Sequence, residues 1–327
     1  KGSSTFAGAL KAAAKPAIIV GAGTLARSDG AAVEALASQL ALASGLPPVN
    51  LPAYLAGTSP LLLEAHPELK AGAEAITAAH RARAAAPERN DAANLAAKGA
   101  RPVGCMLNYA LSGDAAWDAA FLDGLHDALD RHAMPLLGGD TVRMPAGSAR
   151  SYSLTAMGEA TGATPSRSGA QAGDRLFVTG PVGDAGIGLE LARSDPTASG
   201  PLVDAYRRPR PRLAEGTLLA PFATAMMDLS DGLLIDAARM AQASDVAITI
   251  DHVPLSLALE KARGASTAVQ IAAARAGDDY ELLFALARGA TPPVRAIPIG
   301  YVSAGTGLTL MIDGAAVPLP GRLGWEH

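Results

Sequence analysis

Apolar and polar positions change over in short blocks along the chain, with strand and helix periods both recurring. "PAIIVGAGTLA" (16–26) reads as a strand running into a glycine turn, and "DGAAVEALASQLALASG" as a helix. Residues 47 to 63 read as loop, and an alanine-rich helical stretch follows, interrupted at Pro87. From there the pattern sharpens. "RPVGCMLNYAL" predicts a strand, and "DAAWDAAFLDGLHDALDRHAM" predicts an amphipathic helix. Its stripe is Trp117, Phe121, Leu125 and Leu129, with Asp118, Asp123, Asp127 and Asp130 off it. "MPLLGGD" predicts a short buried strand ending in a turn, and "SYSLTAMGEA" another strand. The polar, turn-rich "ATPSRSGAQAG" (163–173) is the expected boundary. Beyond it the strands "RLFVTG", "ATAMMD", "VAITI", "YELLFAL", "AIPIGYV" and "LTLMID" mix with helices at "GIGLELARS", "LVDAYRRPRPRLAEGTLLA" and after "DLSDG". "LTLMIDGAAVPL" reads as a hairpin around Asp313 and Gly314. The mixture favours α+β over a strictly alternating parallel sheet.

With 327 residues the chain is long for one core, so two domains are expected. Aromatics are 4%, with a formal net charge of -4 and no basic block, which excludes a base-stacking nucleic-acid surface. Cys105 is the only cysteine, so no intramolecular disulfide forms. That fits a reducing compartment, and a cytoplasmic protein is expected. No apolar run reaches the ~18 residues of a membrane span. The chain opens on Lys1 without a signal-peptide pattern and reads as a processed or trimmed product.

Three carboxylate clusters stand at the edges of apolar strands: Asp140 in "LLGGDT", Asp228 and Asp231 in "DLSDGL", and Asp278 with Asp279 in "AGDDYELLF". Oxygen ligands without His or Cys suit a hard cation, Mg²⁺ above all, and phosphoryl transfer uses such a cation to neutralise charge. A second reading stands beside this one: Ser230 or Asp231 caps the helix that follows, and Asp140 and Asp278 are turn residues. "GAGTLA" fits a dinucleotide fingerprint but has no acid about 20 residues on, so a dehydrogenase is disfavoured. "GPVGDAGIGLELAR" is either an anion-binding helix start or a tight turn, preferably the turn. The basic run "YRRPRPRL" reads as a solvated helix end.

Taken together, "NLAAKGARP", "LLGGDTVR", "SLTAMGEATG", "SRSGAQAGDRLFVTGPVGDAGIGL", "DAYRRPRPRL", "MDLSDGLLIDAARM", "AGDDYELLF" and "LGWEH" fall in one order. In that order residues from about 94 to 327 resemble the thiamine-monophosphate kinases of the PurM-like (aminoimidazole ribonucleotide synthetase) superfamily. The resemblance implies a PurM-like α+β fold of two domains, an N-terminal α/β dimerisation domain and a C-terminal α/β domain, with the active site between them. It implies ATP-dependent, Mg²⁺-assisted phosphorylation of thiamine monophosphate by direct in-line transfer, and a homodimer. Carried over by position, Asp140, Asp228 and Asp231 ligate Mg²⁺. Gly139, Asp140, Arg167 and Ser230 meet ATP, while Asp278 and Trp325 meet the thiamine.

The first third departs from the family. Its early "GDDAA" loop and "TDT" turn are absent, and Asn94 stands where a metal-binding Asp belongs; an amide oxygen ligates without bringing charge. Residues 15–46 instead resemble a strand–loop–helix of the large subunit of respiratory NADH dehydrogenase. The expected organisation is therefore a divergent or fused segment over 1–93, the rest of an N-terminal PurM-like domain over 94–163, and a C-terminal domain over 164–327. The missing acids define the alternative function, a catalytically impaired PurM-like protein that binds nucleotide or dimerises.

Overall fold

The computed structural model describes residues 91–111, 114–143, 151–160 and 162–325. The expectations for 16–26, 29–63 and the alanine-rich stretch after them, with the resemblance of 15–46, lie outside these residues. Among the described residues no helix is long and apolar enough to cross a membrane.

Two sheets organise the described residues. The first has the order β2-β1-β3, from β1 (Ala100–Leu111), β2 (Leu136–Arg143) and β3 (Tyr152–Ala160). Strand β1 runs parallel to β2 and antiparallel to β3. Helix α1 (Asp91–Ala96) precedes it, and α2 (Ala115–Arg131) links β1 to β2. Asp114 caps α2 by accepting from the Trp117 amide at 3.1 Å. On the α2 stripe Trp117, Phe121 and Tyr109 of β1 stack at 5.4 and 5.1 Å between ring centroids. Asp118 departs from the pattern. It is buried rather than solvated, because the Tyr109 hydroxyl donates to its carboxylate.

Strand β2 also differs from expectation. It does not end at the glycines but continues through Asp140 to Arg143, and it is exposed: Leu136 and Leu137 are 51% and 54% accessible. Gly139 is required by the pairing. A Cβ there would stand 1.7 Å from the Leu107 carbonyl oxygen, and its φ is +153°.

The second sheet has seven strands in the order β10-β9-β6-β8-β4-β7-β5. They are β4 (Arg175–Val178), β5 (Ala225–Asp228), β6 (Ala247–Ile250), β7 (Leu282–Leu286), β8 (Ile297–Ser303), β9 (Gly307–Ile312) and β10 (Ala315–Val317). Pairing is antiparallel except between β6 and β9, and β9 with β10 forms the expected hairpin. Both faces are covered, which explains the unbroken apolar run of β7. Leu283 and Ala285 join Leu176, Val178 and Met227 on one face, packed under α6 (Leu233–Ser244) through Leu233, Leu234, Ala237 and Met240. Leu282, Phe284 and Leu286 join Phe177 and Met226 on the other, packed against Ala96 and Ala97 of the α1 end and Leu219 of α5 (Leu213–Leu219). Each fully buried Leu or Met adds roughly 1.5–3 kcal/mol.

Among the described residues the remaining helices are α3 (Asp184–Ser194), α4 (Pro201–Arg207), α7 (Leu257–Arg263) and α8 (Thr267–Arg275). The single helical reading of 202–220 is corrected to α4 and α5, separated where Pro209 and Pro211 interrupt the backbone ladder.

Candidate active site

Strand β5 is an edge strand, and its last residue, Asp228, leads into a turn that the rest of the sheet holds in place. Leu229, 1% accessible, anchors that turn in the core. Its amide donates to the Glu281 carbonyl and its carbonyl accepts from Tyr280, both at 2.8 Å. The Ser230 carbonyl accepts from the Asp278 amide at 2.9 Å, and the Asp231 carbonyl from the Trp325 amide at 2.8 Å. The last contact needs glycine beside it, since a Cβ on Gly324 would lie 2.4 Å from that same Asp231 oxygen. The turn is thus a hub. It brings Asp228, Ser230, Asp231, Asp278 and Trp325 together from segments almost 100 residues apart.

The carboxylates of this hub are differently held. Asp228 is buried and its Oδ2 finds no hydrogen-bond partner. Burial pushes its acid upward, against hydrogen bonds from its own backbone and Ser230 and the Arg167 charge. Asp231 pairs with Arg239 on α6. Asp278 has φ +67° and accepts from the Tyr280 hydroxyl at 2.7 Å. Trp325 is 61% accessible, so its ring is open to a planar ligand.

The capping alternative for Ser230 and Asp231 is corrected. The N-cap of α6 is Gly232, and neither side chain caps it. Asp236, one turn inside the helix, does so by accepting from the Asp231 and Gly232 amides at 3.1 and 3.2 Å, and Arg239 donates to it at 2.8 Å. Desolvation first, then the Asp231 charge, push Asp236 up to about 7. A lone acid within "GLLIDAARM" was the signal for this role, since only a satisfied carboxylate survives in so apolar a helix.

Two further acids are also scaffold: Asp279, expected with Asp278 in a cation-binding cluster, and Glu281, which sequence reasoning missed. Asp279 accepts from the Gly183 and Ala185 amides at 2.7 and 3.3 Å. The start of α3 is therefore filled by the protein's own anion, as the tight-turn reading of that segment had it. Glu281 receives Arg212 through Nε and Nη2 at 2.8 and 2.5 Å and Thr179 Oγ1 at 2.5 Å. Arg212 belongs to the basic run expected to be a solvated helix end; the structure instead makes it the partner of a buried carboxylate.

Asp140 and Gly139 stand apart from the hub, on β2 of the other sheet, where the Asp140 carboxylate accepts from the Thr141 amide at 2.9 Å. Asn94 is exposed on α1. Among the described residues no group of three His, Cys, Asp or Glu side chains converges as a metal-binding set. The orphaned Oδ2 of Asp228 is the feature that suits a hard cation.

Comparison with known proteins decides the family. The N-terminal domain of AIR synthase related proteins matches residues 84–160, and the C-terminal domain residues 171–313. Thiamine-monophosphate kinase of Escherichia coli K12 is 35% identical over 253 residues, spanning 72% of this chain and 76% of that protein. The chain belongs to the thiamine-monophosphate kinase family. The family member from Caulobacter vibrioides is 33% identical over 257 residues, covering 73% and 72% of the two chains. Among solved structures, the kinase from Stenotrophomonas maltophilia superposes with a TM-score of 0.60 at 35% identity over 69% of this chain and 76% of that one. AaThiL complexed with AMPPCP and TMP gives 0.63 at 30% identity over 72% and 77%. Escherichia coli HypE, at 20% identity and 0.56 over 71% and 78%, shares the fold. The fold of this family member is thus the expected two-domain PurM-like one.

Proposed function

We propose that this chain transfers the γ-phosphoryl group of ATP to the phosphate of thiamine monophosphate, giving ADP and thiamine diphosphate. The observation that carries the reading is the hub: one turn joins two acids to Asp278 and to an exposed tryptophan. Kinases of the same name match over more than 250 residues, which favours catalysis over the impaired, binding-only reading.

In this reading Asp228 and Asp231 hold Mg²⁺, joined by Asp140 from β2, and Asn94 offers a neutral oxygen. The bound cation neutralises phosphate charge during transfer. Ser230, Gly139, Asp140 and Arg167 meet the nucleotide, and the ring of Trp325 stacks on the thiamine while Asp278 accepts a hydrogen bond from it. The protein's contribution is orientation: because the backbone of 229–231 is hydrogen-bonded to 278–281 and 325, donor and acceptor phosphates are fixed relative to one another. Incubation with ATP, Mg²⁺ and thiamine monophosphate is expected to yield thiamine diphosphate. No product at high enzyme concentration overturns the activity.

The family's homodimer is part of the same reading. The exposed Leu136, Leu137 and Val142 of β2 support it as an apolar edge that a second copy covers. Light scattering is expected to give twice the chain mass of 32.9 kDa; a single-chain mass at micromolar concentration removes the dimer.

A further inference from the structure

Ala96 and Ala97 are buried against Leu219, Met226 and Phe284, so the turn after α1 is pinned beside the edge strand β5. That turn carries Lys98, whose Nζ donates to the Pro165 carbonyl at 3.0 Å. The next residue of this linker, Ser166, accepts from the Met226 amide at 3.1 Å, two residues before Asp228. Lys98 is thereby held between the linker that bears Arg167 and the strand that ends in Asp228. The three charges feel one another. Burial first and then Arg167 lower the pKa of Lys98, while Asp228 raises it.

Among the described residues neither Lys98 nor Arg167 forms an ion pair. Two cations gathered at one place repel, and the Asp228 carboxylate that both feel is a single charge. A polyphosphate resolves the arrangement, because its charge attracts both side chains at once. Lysine suits this role as a compact point charge with three donors on a flexible stem.

We propose that Lys98 is a further phosphate-binding residue of the site, sharing the nucleotide's polyphosphate with Arg167 from the turn that joins α1 to β1. It rests on the kinase reading for the identity of the nucleotide. In the absence of ligand Lys98 parks on the Pro165 carbonyl; in its presence the ammonium meets phosphate oxygens. Lys98 adds positive charge in the third of the site where Asn94 brings no negative one, so phosphate is held there by protein as well as by cation.

Calorimetric titration of the full chain with a non-hydrolysable ATP analogue and Mg²⁺, and separately with thiamine monophosphate, tests this. Lys98→Gln keeps a donor for Pro165 but no charge; Lys98→Arg keeps the charge. Nucleotide affinity is expected to fall about tenfold or more in Lys98→Gln and to stay within about threefold of the parent in Lys98→Arg, with adenosine binding unchanged in both. Unchanged nucleotide affinity in Lys98→Gln overturns the proposal. Equal losses in both variants make Lys98 a structural tie and also overturn it, as does a loss seen for thiamine monophosphate alone. A parent chain that binds nucleotide yet forms no thiamine diphosphate ends the kinase reading and leaves this one standing; a parent that binds no nucleotide ends both.

Discussion

Asp228→Asn is expected to abolish phosphoryl transfer while raising the melting temperature of the ligand-free protein. Asp228 carries a buried carboxylate whose Oδ2 has no hydrogen-bond partner, and burial is the largest influence pushing its acid upward. Ionised and unligated, it costs stability, about 1–3 kcal/mol on the scale of an unsatisfied buried polar group. The Arg167 charge offsets part of this cost. The amide of Asn has nearly the same shape, keeps an oxygen for Ser230, and removes the charge. The sign follows from the raised pKa: the folded state holds this proton to higher pH than the unfolded chain does. The penalty therefore grows as pH rises from about 4, the carboxylate's unfolded value, through the raised folded value. The gain in melting temperature should grow as pH rises and shrink towards pH 4. Turnover should fall at least about 100-fold, since the lost carboxylate would hold the cation that neutralises the transferring phosphoryl group. Melting curves at several pH values and a turnover assay check both halves. A variant that melts lower at pH 7, or keeps its turnover, overturns this account of Asp228 as a carboxylate kept for function at the expense of the fold.

Arg212→Ala should be among the most damaging single changes in the C-terminal sheet, though Arg212 touches none of the residues assigned to ligands. Burial works against its guanidinium charge, and the hydrogen bonds and charge of Glu281 outweigh that, holding it above its ordinary value. The pair is bidentate, and Glu281 is 6% accessible with Thr179 as its other side-chain partner. Truncation strands a buried carboxylate at the root of β7, with an expected loss of about 3 kcal/mol. In a chain of this size that lowers the melting temperature by roughly 5 °C. The second substitution Glu281→Gln in the same chain should recover much of the loss, because the stranded group is then neutral. Melting curves of the parent, both single variants and the double variant give the coupling. A melting temperature for Arg212→Ala within a degree of the parent's contradicts it. Activity should fall along with stability, since the Glu281 carbonyl receives the Leu229 amide that anchors the hub.

Most element types were legible in order. Period-two runs, glycine turns and the Asp313–Gly314 hairpin are local properties, encoded within a dozen residues and therefore readable without knowing what packs where. The motifs "DLSDGL", "AGDDYELLF" and "LGWEH" marked three segments that the fold does join, because each is a strand edge or chain end with the same chemistry about it. Where burial was at issue the pattern misled. A strand reading "LLGGDTV" looks buried, yet β2 lies at the edge of a three-stranded sheet with its leucines exposed. Asp118 looks solvated on its helix, yet Tyr109 draws it inside.

The sequence alone determined the family, the class of fold and the segments that carry chemistry, because these rest on residue types in order along the chain. Only the tertiary structure decided which acid does what. Asp231 and Asp236 stand five residues apart in one motif, and Asp278, Asp279 and Glu281 lie within four. Yet Asp236 caps a helix, Asp279 caps another 96 residues away, Glu281 neutralises an arginine, and Asp228 keeps an oxygen unsatisfied. A carboxylate's role is set by the donors and charges that surround it once folded, and those come from distant segments. Spacing along the chain fixes none of them.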